Sequence, residues 1–408
     1  MRSLAMIAAL PLLALTACGG ASGPQSAGTI APPAGGGSGS GGTGGGVGGN
    51  TPTPTPSPAA TQFLDVATET TFSAVGSLQS LKVTESGQFN VTGPLLYQGN
   101  ASTVRAPTGS VTYNPRDGIF SIAFADDKAG VNQSVRFQDP AHRTQTTLWG
   151  VPDLAGFNYL EAVGPSARAA TPGDLGRNDS ITFFYQRPGA QTTYVSLAGY
   201  VRNAYEPTAD PLVFNAASTS NFDRGAMVFG EQTLRSQIPV TGSASYSGGM
   251  LATMVVNTSA NSSTPNYFQW ITGTADITIN FANATFTNLM LSGTVSPATY
   301  GGVQLPSNAT GVPGGSTFNA VGAGTVDLTR TGGFSGKFSS VSFTPVNGGS
   351  AIPVYDAVNP ANSVAGANSI DGTFFGPNAV NIGGNFRVVG GKPDERVDIL
   401  GAFTGAKK

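Results

Sequence analysis

From Thr61 onward the chain alternates apolar and polar positions with a period of two. Phe120, Ile122 and Phe124 fall on one side, Ser121 and Ala123 on the other. Ala275, Ile277, Ile279 and Phe281 alternate with Asp276, Thr278 and Asn280. The same rhythm interleaves Tyr194, Ser196, Ala198 and Tyr200 with Val195, Leu197, Gly199 and Val201. It also interleaves Val397, Ile399, Gly401 and Phe403 with Arg396, Asp398, Leu400 and Ala402. Such a period puts neighbouring side chains on opposite faces of a strand, and predicts one packed face and one wetter face. Turn chemistry separates the runs: Asn114-Pro115-Arg116-Asp117-Gly118, Arg187-Pro188-Gly189, Gly301-Gly302 and Asn347-Gly348-Gly349. Strand-favouring Thr, Val, Phe and Tyr are plentiful while Leu, Glu, Lys and Arg are sparse, so long helices are not expected. The best short helix candidate is the stretch around Asp153 to Ala162.

Composition divides this body near Arg235. Residues 61–235 carry most of the charge and many aromatics, whereas residues 236–326 hold one charged residue, Asp276. A natural cut falls at Gln237-Ile238-Pro239. The predicted organisation is a β-rich domain over residues 61–235, followed over 236–408 by about eight antiparallel strands, enough to close a small barrel. Closure removes sheet edges that so few charged residues could not guard. A lipid-spanning barrel would share the alternation. The ending Gly405-Ala-Lys-Lys408 lacks a terminal aromatic, and Phe72, Phe137 and Phe157 follow no two-girdle rhythm, so a water-soluble barrel is expected.

The first 60 residues are different. Arg2 and the apolar run Leu4 to Leu15 form a signal peptide, too short to span a bilayer, which needs about 20 apolar residues. Leu15-Thr16-Ala17-Cys18 reads as a lipobox, with residues 1–17 removed and Cys18 carrying lipid; an ordinary signal peptide beside a chance Cys is the alternative. Several acyl chains would make the anchor effectively permanent. Gly19 rather than Asp follows, which favours the outer membrane. Residues 18–60, Gly-rich and then Thr51-Pro-Thr-Pro-Thr-Pro-Ser-Pro58, read as a disordered tether reaching roughly 35–40 Å.

The 408 residues include 57 Gly, 28 Pro, one Cys and one His, with a net charge of −2. One Cys makes no internal disulfide or thiolate zinc site, and one His makes no paired metal cage. Without a basic stripe, nucleic acid is not an expected partner. Nucleophile elbow, Walker loop and His-Glu-x-x-His are all absent, so no enzyme and no cofactor are expected. Gly332-Gly-Phe-Ser-Gly-Lys337 has the wrong spacing for a phosphate loop and alternates like a strand. Asp126-Asp127 lacks the acidic spacing of an EF-hand, though a Ca2+ loop there is an alternative to a plain turn. His142, in Asp139-Pro-Ala-His-Arg143, is either a solvated loop residue or an axial haem ligand. Asn283, Asn288 and Asn308 are candidates for sugar contact.

The carboxy-terminal segment resembles a known family. Gly372-Thr-Phe-Phe-Gly-Pro-Asn-Ala-Val-Asn-Ile-Gly-Gly-Asn-Phe386, with Asp398-Ile-Leu-Gly-Ala-Phe-Thr-Gly-Ala-Lys407, resembles the closing strands of transferrin-binding-protein-like surface lipoproteins. Thr241 to Gly248 is similar to that family's barrel-opening strand and Gly273 to Ala282 to the next. Met227-Val-Phe-Gly-Glu-Gln-Thr233 is similar to the run leading into the barrel. Where the family often has acidic residues after Gly-Pro-x-Ala, this chain has Val380 and Asn381. Read without the family, Ile370 to Phe375 is a strand ended by Pro377, Asn378 to Ile382 is one helical turn, and Gly383-Gly384 supplies positive φ or close approach. Phe374, Phe375 and Gly376 are accordingly expected to be structural. The resemblance implies one handle domain and one barrel. It implies an outer-membrane, surface-exposed lipoprotein that captures an iron carrier, haem protein or other solute for a TonB-dependent transporter. A structural surface protein or adhesin is the alternative.

Overall fold

The computed structural model describes residues 66–85, 97–101, 109–126, 131–137, 150–163, 178–187, 189, 193–207, 218–256, 266–300, 303–304, 312–356, 368–392 and 395–408. These form two antiparallel sheets. The first comprises β1 (Thr70–Glu85), β2 (Tyr97–Ala101), β3 (Gly109–Asn114), β4 (Ile119–Asp126), β5 (Val131–Phe137), β6 (Phe157–Val163), β7 (Asn178–Gln186), β8 (Val195–Pro207) and β9 (Ser218–Gly230). Its order is β5-β4-β3-β1-β9-β8-β7-β6, with β2 beside the far half of β1. Phe120, Phe137, Phe183, Tyr185 and Phe229 gather on one face as its own aromatic core.

The second sheet comprises β10 (Ser243–Val256), β11 (Tyr267–Asn280), β12 (Thr285–Val295), β13 (Thr299–Tyr300), β14 (Val303–Gln304), β15 (Thr317–Val326), β16 (Gly333–Thr344), β17 (Ile352–Asp356), β18 (Asn368–Phe375), β19 (Asn381–Lys392) and β20 (Glu395–Lys407). Strand β10 pairs with both β11 and β20, so eight long strands close into a barrel. Strands β17 and β18 share one side of β16, each covering half its length.

The barrel interior is filled. Phe374 lies between Phe281 and Phe334, its ring centroid 5.6 Å from the first and 5.8 Å from the second, tilted against one and edge-on to the other. Strand glycines make room for these rings: a Cβ on Gly372 would strike Phe334, and one on Gly401 would strike Phe386. In a narrow eight-stranded barrel, large residues need a small residue opposite them. The outward positions of β12 include Thr287, Asn288, Ser292 and Thr294, and those of β16 include Ser335, Lys337, Ser339 and Ser340, all exposed. Apolar inside and polar outside reverses the polarity that a lipid-spanning barrel requires. No helix among the described residues is long and apolar enough to cross a membrane.

Three expectations are corrected. The stretch Asp153 to Ala162 is not helical: it is a short strap running into β6. The helical turn expected over Asn378 to Ile382 is a 3-10 turn at Pro377–Ala379, and β19 resumes at Asn381. The alternation in β8 and β20 does not separate a dry face from a wet one. Val195, Leu197, Ala198, Tyr200, Leu400 and Ala402 are all buried, because the first sheet lies against the outer wall of the barrel.

Candidate functional site

The seam between the sheets follows from register. On β1, β9 and β8, cross-strand partners such as Val75 with Val228, and Val228 with Leu197, share a face. That face meets Leu251, Trp270, Phe375 and Ala402 of the barrel in one apolar cluster. Phe184 meets Trp270 edge-on, with centroids 5.7 Å apart at 71°. Polar bonds pin the seam: Gln79 Nε2 donates to the Asp398 carbonyl at 3.0 Å, and Thr253 Oγ1 donates to Gln79 Oε1 at 2.5 Å. Trp270 Nε1 donates to the Gly150 carbonyl at 2.9 Å. Glu231 to Thr233, leading out of β9, stitch onto the β18 end through Gly376 N donating to the Glu231 carbonyl at 2.8 Å and Thr233 Oγ1 donating to the Gly376 carbonyl at 2.6 Å.

Contacts toward both extremes of this seam fix the first sheet along the barrel wall. Tyr194 N reaches Asn381 Oδ1 at one end, and Arg224 lies over Phe268 toward the other. The first end holds the start of β1, the carboxy-terminal Lys408 and the tight connections 281–284, 327–332 and 376–380. Asp327 ties down the β15–β16 connection, accepting from the amides and hydroxyls of Thr329 and Thr331 and from the Arg330 amide. Those bonds, the Arg330 amide foremost, hold its carboxyl at about 2, below its ordinary 3.8. Lys408 Nζ meets Asp276 Oδ1 at 2.8 Å, which depresses the Asp276 carboxyl.

The opposite end carries the connection 345–351 after β16 and the β13–β14 pair beside the start of β11. In sequence, the stretches 86–96, 208–217, 257–265 and 357–367 between strands are rich in Ser, Asn, Pro and Gly and hold one charged residue, Asp210. Val346 stands 57% exposed at this rim and packs beside Gly315.

In the half of the seam remote from Gly376 sits Arg224, 2% exposed. Burial pushes its guanidinium down to about 10. It lies 5.3 Å from the Phe268 ring centroid. The neighbouring Asp223 faces the other way, toward Ser80 and Arg202. Neither residue stood out in the sequence, since one Arg inside an alternating run carries no signal of burial.

Cys18, His142, Asp127 and Asn308 lie outside the described residues, and the side chain of Asp126 likewise. Asn283 and Asn288 are exposed, on the β11–β12 connection and on β12, at no shared cleft. Gly333 to Lys337 form the start of β16, as the alternation predicted. Phe374 fills the barrel core and Phe375 the seam, while Gly376 packs on the Tyr194 ring. Gly383 serves close approach, not positive φ: a Cβ there would lie 2.9 Å from Phe375 and 3.1 Å from Val228. No cluster of three or more metal-ligating side chains occurs among the described residues.

The fold and seam define a closed β-barrel flanked by a β handle. Residues 238–408 match the family of C-lobe and N-lobe beta barrels of Tf-binding protein B. The carboxy-terminal domain is thus similar to the transferrin-binding-protein B barrels, and the first sheet lies outside that match. Solved structures with similar folds include the intact N- and C-lobe protein Ap-TbpB (12% identity, 84% of this chain and 78% of that one, TM-score 0.30). They also include transferrin-binding protein B of Haemophilus parasuis (12%, 82% and 76%, TM-score 0.27). A third is isotype 1 transferrin-binding protein B from serogroup B Neisseria meningitidis (11%, 83% and 78%, TM-score 0.23). No curated protein matches the chain.

Proposed function

We propose that this protein is a lipid-tethered capture protein of the bacterial outer membrane, a single handle (residues 61–235) and barrel (236–408) on a tether from Cys18. It binds an iron carrier, a haem protein or another solute and hands it to a TonB-dependent transporter. One observation carries this reading: the strand that follows the tether, β1, starts at the tight-turn end. A tether pulling on that end leaves the opposite strand ends, with the exposed Val346, facing away from the lipid, where a partner arrives. The family match of the barrel supports the same role. Capture needs no catalytic group, in keeping with a non-enzymatic protein. His142 is the candidate if the cargo is haem.

Protease shaving of intact cells tests the orientation, with fragments from residues 208–217 and 257–266 expected first. Purified protein incubated with growth medium should retain a protein or haem cargo, and His142→Ala should abolish haem retention if haem is the ligand. Resistance of intact cells to shaving, together with retention of nothing from the medium, refutes the proposal. Unchanged nutrient uptake with altered adhesion on deletion would instead favour the structural role.

A further inference from the structure

A strap, Gly150–Gly156, crosses the buried edge of the seam. It begins and ends on glycines with positive φ, Gly150 at 77° and Gly156 at 81°, a conformation that glycine adopts without strain. Its far end is held by Arg187, whose N and Nε donate to the Gly156 carbonyl at 3.0 Å and 3.4 Å, and Phe157 N donates to the Leu154 carbonyl at 3.3 Å. Trp270 Nε1 donates to the Gly150 carbonyl, Tyr159 Oη donates to the Pro152 carbonyl at 2.8 Å, and Leu154 N donates to Tyr159 Oη at 2.7 Å. Directly beneath it lies Arg224: a Cβ on Gly150 would stand 2.6 Å from Nη2.

The guanidinium has five N–H donors. Nη1 gives two, to the carbonyls of Arg202 at 3.1 Å and Asp223 at 2.9 Å. Nη2 gives one, to Asn203 Oδ1 at 2.8 Å. Nε is buried and without a partner. Two donors therefore stay unused, Nε–H and one hydrogen of Nη2, and together they make the side-on fork that fits a carboxylate. No carboxylate among the described residues contacts this group. Around it stand Phe268 and, under the same strap, Trp270, both nearly fully buried. A buried cation with half its fork empty, walled by aromatic rings and covered by a glycine-hinged strap, is costly as a purely structural feature.

We propose that Arg224 is the receptor of a second, covered binding site, in which the strap Gly150–Gly156 lifts to admit a small carboxylate with a planar apolar body. The carboxylate takes the Nε–Nη2 fork, and the apolar body replaces the strap against Phe268 and Trp270. This site is buried in the seam, and its occupancy is independent of protein capture at the exposed strand ends.

Benzoate, with neutral benzamide as its isostere, tests the site on the full chain. Saturable quenching of tryptophan emission by benzoate at one equivalent per chain, with no response to benzamide, is expected. Amide exchange at Leu154 and Phe157 should rise when benzoate is bound, since the strap has lifted. Arg224→Lys, which keeps the charge without the fork, and Arg224→Met should each weaken benzoate at least tenfold, with folding checked by circular dichroism. No benzoate response, an equal response to benzamide, or undiminished affinity in a folded Arg224→Met protein overturns the proposal. The first two outcomes need no variant, so loss of folding in either one leaves the test decisive. Failure here leaves the capture role standing, and failure of capture leaves this site standing.

Discussion

If the seam is a true core shared by handle and barrel, cutting one ring from it must cost as much as cutting a ring from either interior. Phe184 is the sharpest probe. It is fully buried, stacked on Tyr159 with centroids 5.5 Å apart, edge-on to Trp270 of the barrel, and seated over Gly199. Phe184→Ala empties that volume with no side chain at Gly199 to collapse into it, so a loss of about 3–5 kcal/mol is expected. Trp270→Ala should cost a similar amount for the ring, and about 1–3 kcal/mol more because the Gly150 carbonyl loses its donor. The two are not independent. Their edge-to-face contact should appear as a coupling of about 0.5–1.5 kcal/mol in a double-mutant cycle. Urea unfolding followed by far-ultraviolet circular dichroism measures all four proteins without relying on Trp270 fluorescence. A loss below about 1 kcal/mol for Phe184→Ala, with coupling indistinguishable from zero, would mean that handle and barrel merely touch. The reasoning about β8 and β20 as doubly buried strands would then be wrong.

Gly376 has φ 69° and ψ 177°, a region almost closed to other residues, and its Cβ position is occupied by the Tyr194 ring. Gly376→Ala should therefore destabilise by at least about 1–3 kcal/mol in the same unfolding assay, and a neutral result would contradict the geometry. Asp327 has a folded-state pKa depressed to about 2, so its contribution is full above the unfolded value near 3.8 and is lost as pH falls through about 2. The gap in melting temperature between wild type and Asp327→Asn should be constant from pH 7 to about 4 and close toward pH 2; a gap independent of pH refutes the cap. Cys18→Ser should release the protein from the membrane fraction into soluble fractions, and retention in the outer membrane would remove the lipid anchor from the account.

Much of the barrel was legible before any coordinates. Where only one face of a strand is buried, as in β11, the sequence alternates and the strand can be read directly: Ala275, Ile277 and Ile279 are buried while Asp276, Thr278 and Asn280 are partly open. Turn residues were equally plain, because Pro and Gly act on the backbone locally. The strap and β6 were misjudged for the complementary reason. Phe157 and Tyr159 face the seam while Leu160 faces the handle core, so both sides are apolar and the period of two disappears.

The residues alone thus determined the β class and the eight walls of a closed barrel, since both depend on local pattern or composition. Only the folded chain decided that the handle lies along the barrel wall and that Arg224 is shut in beneath a strap. Those facts arise from contacts between residues as distant as Gln79 and Asp398, or Gly150 and Trp270. No local rule encodes such pairings, because their energy exists only once two separately patterned sheets have met.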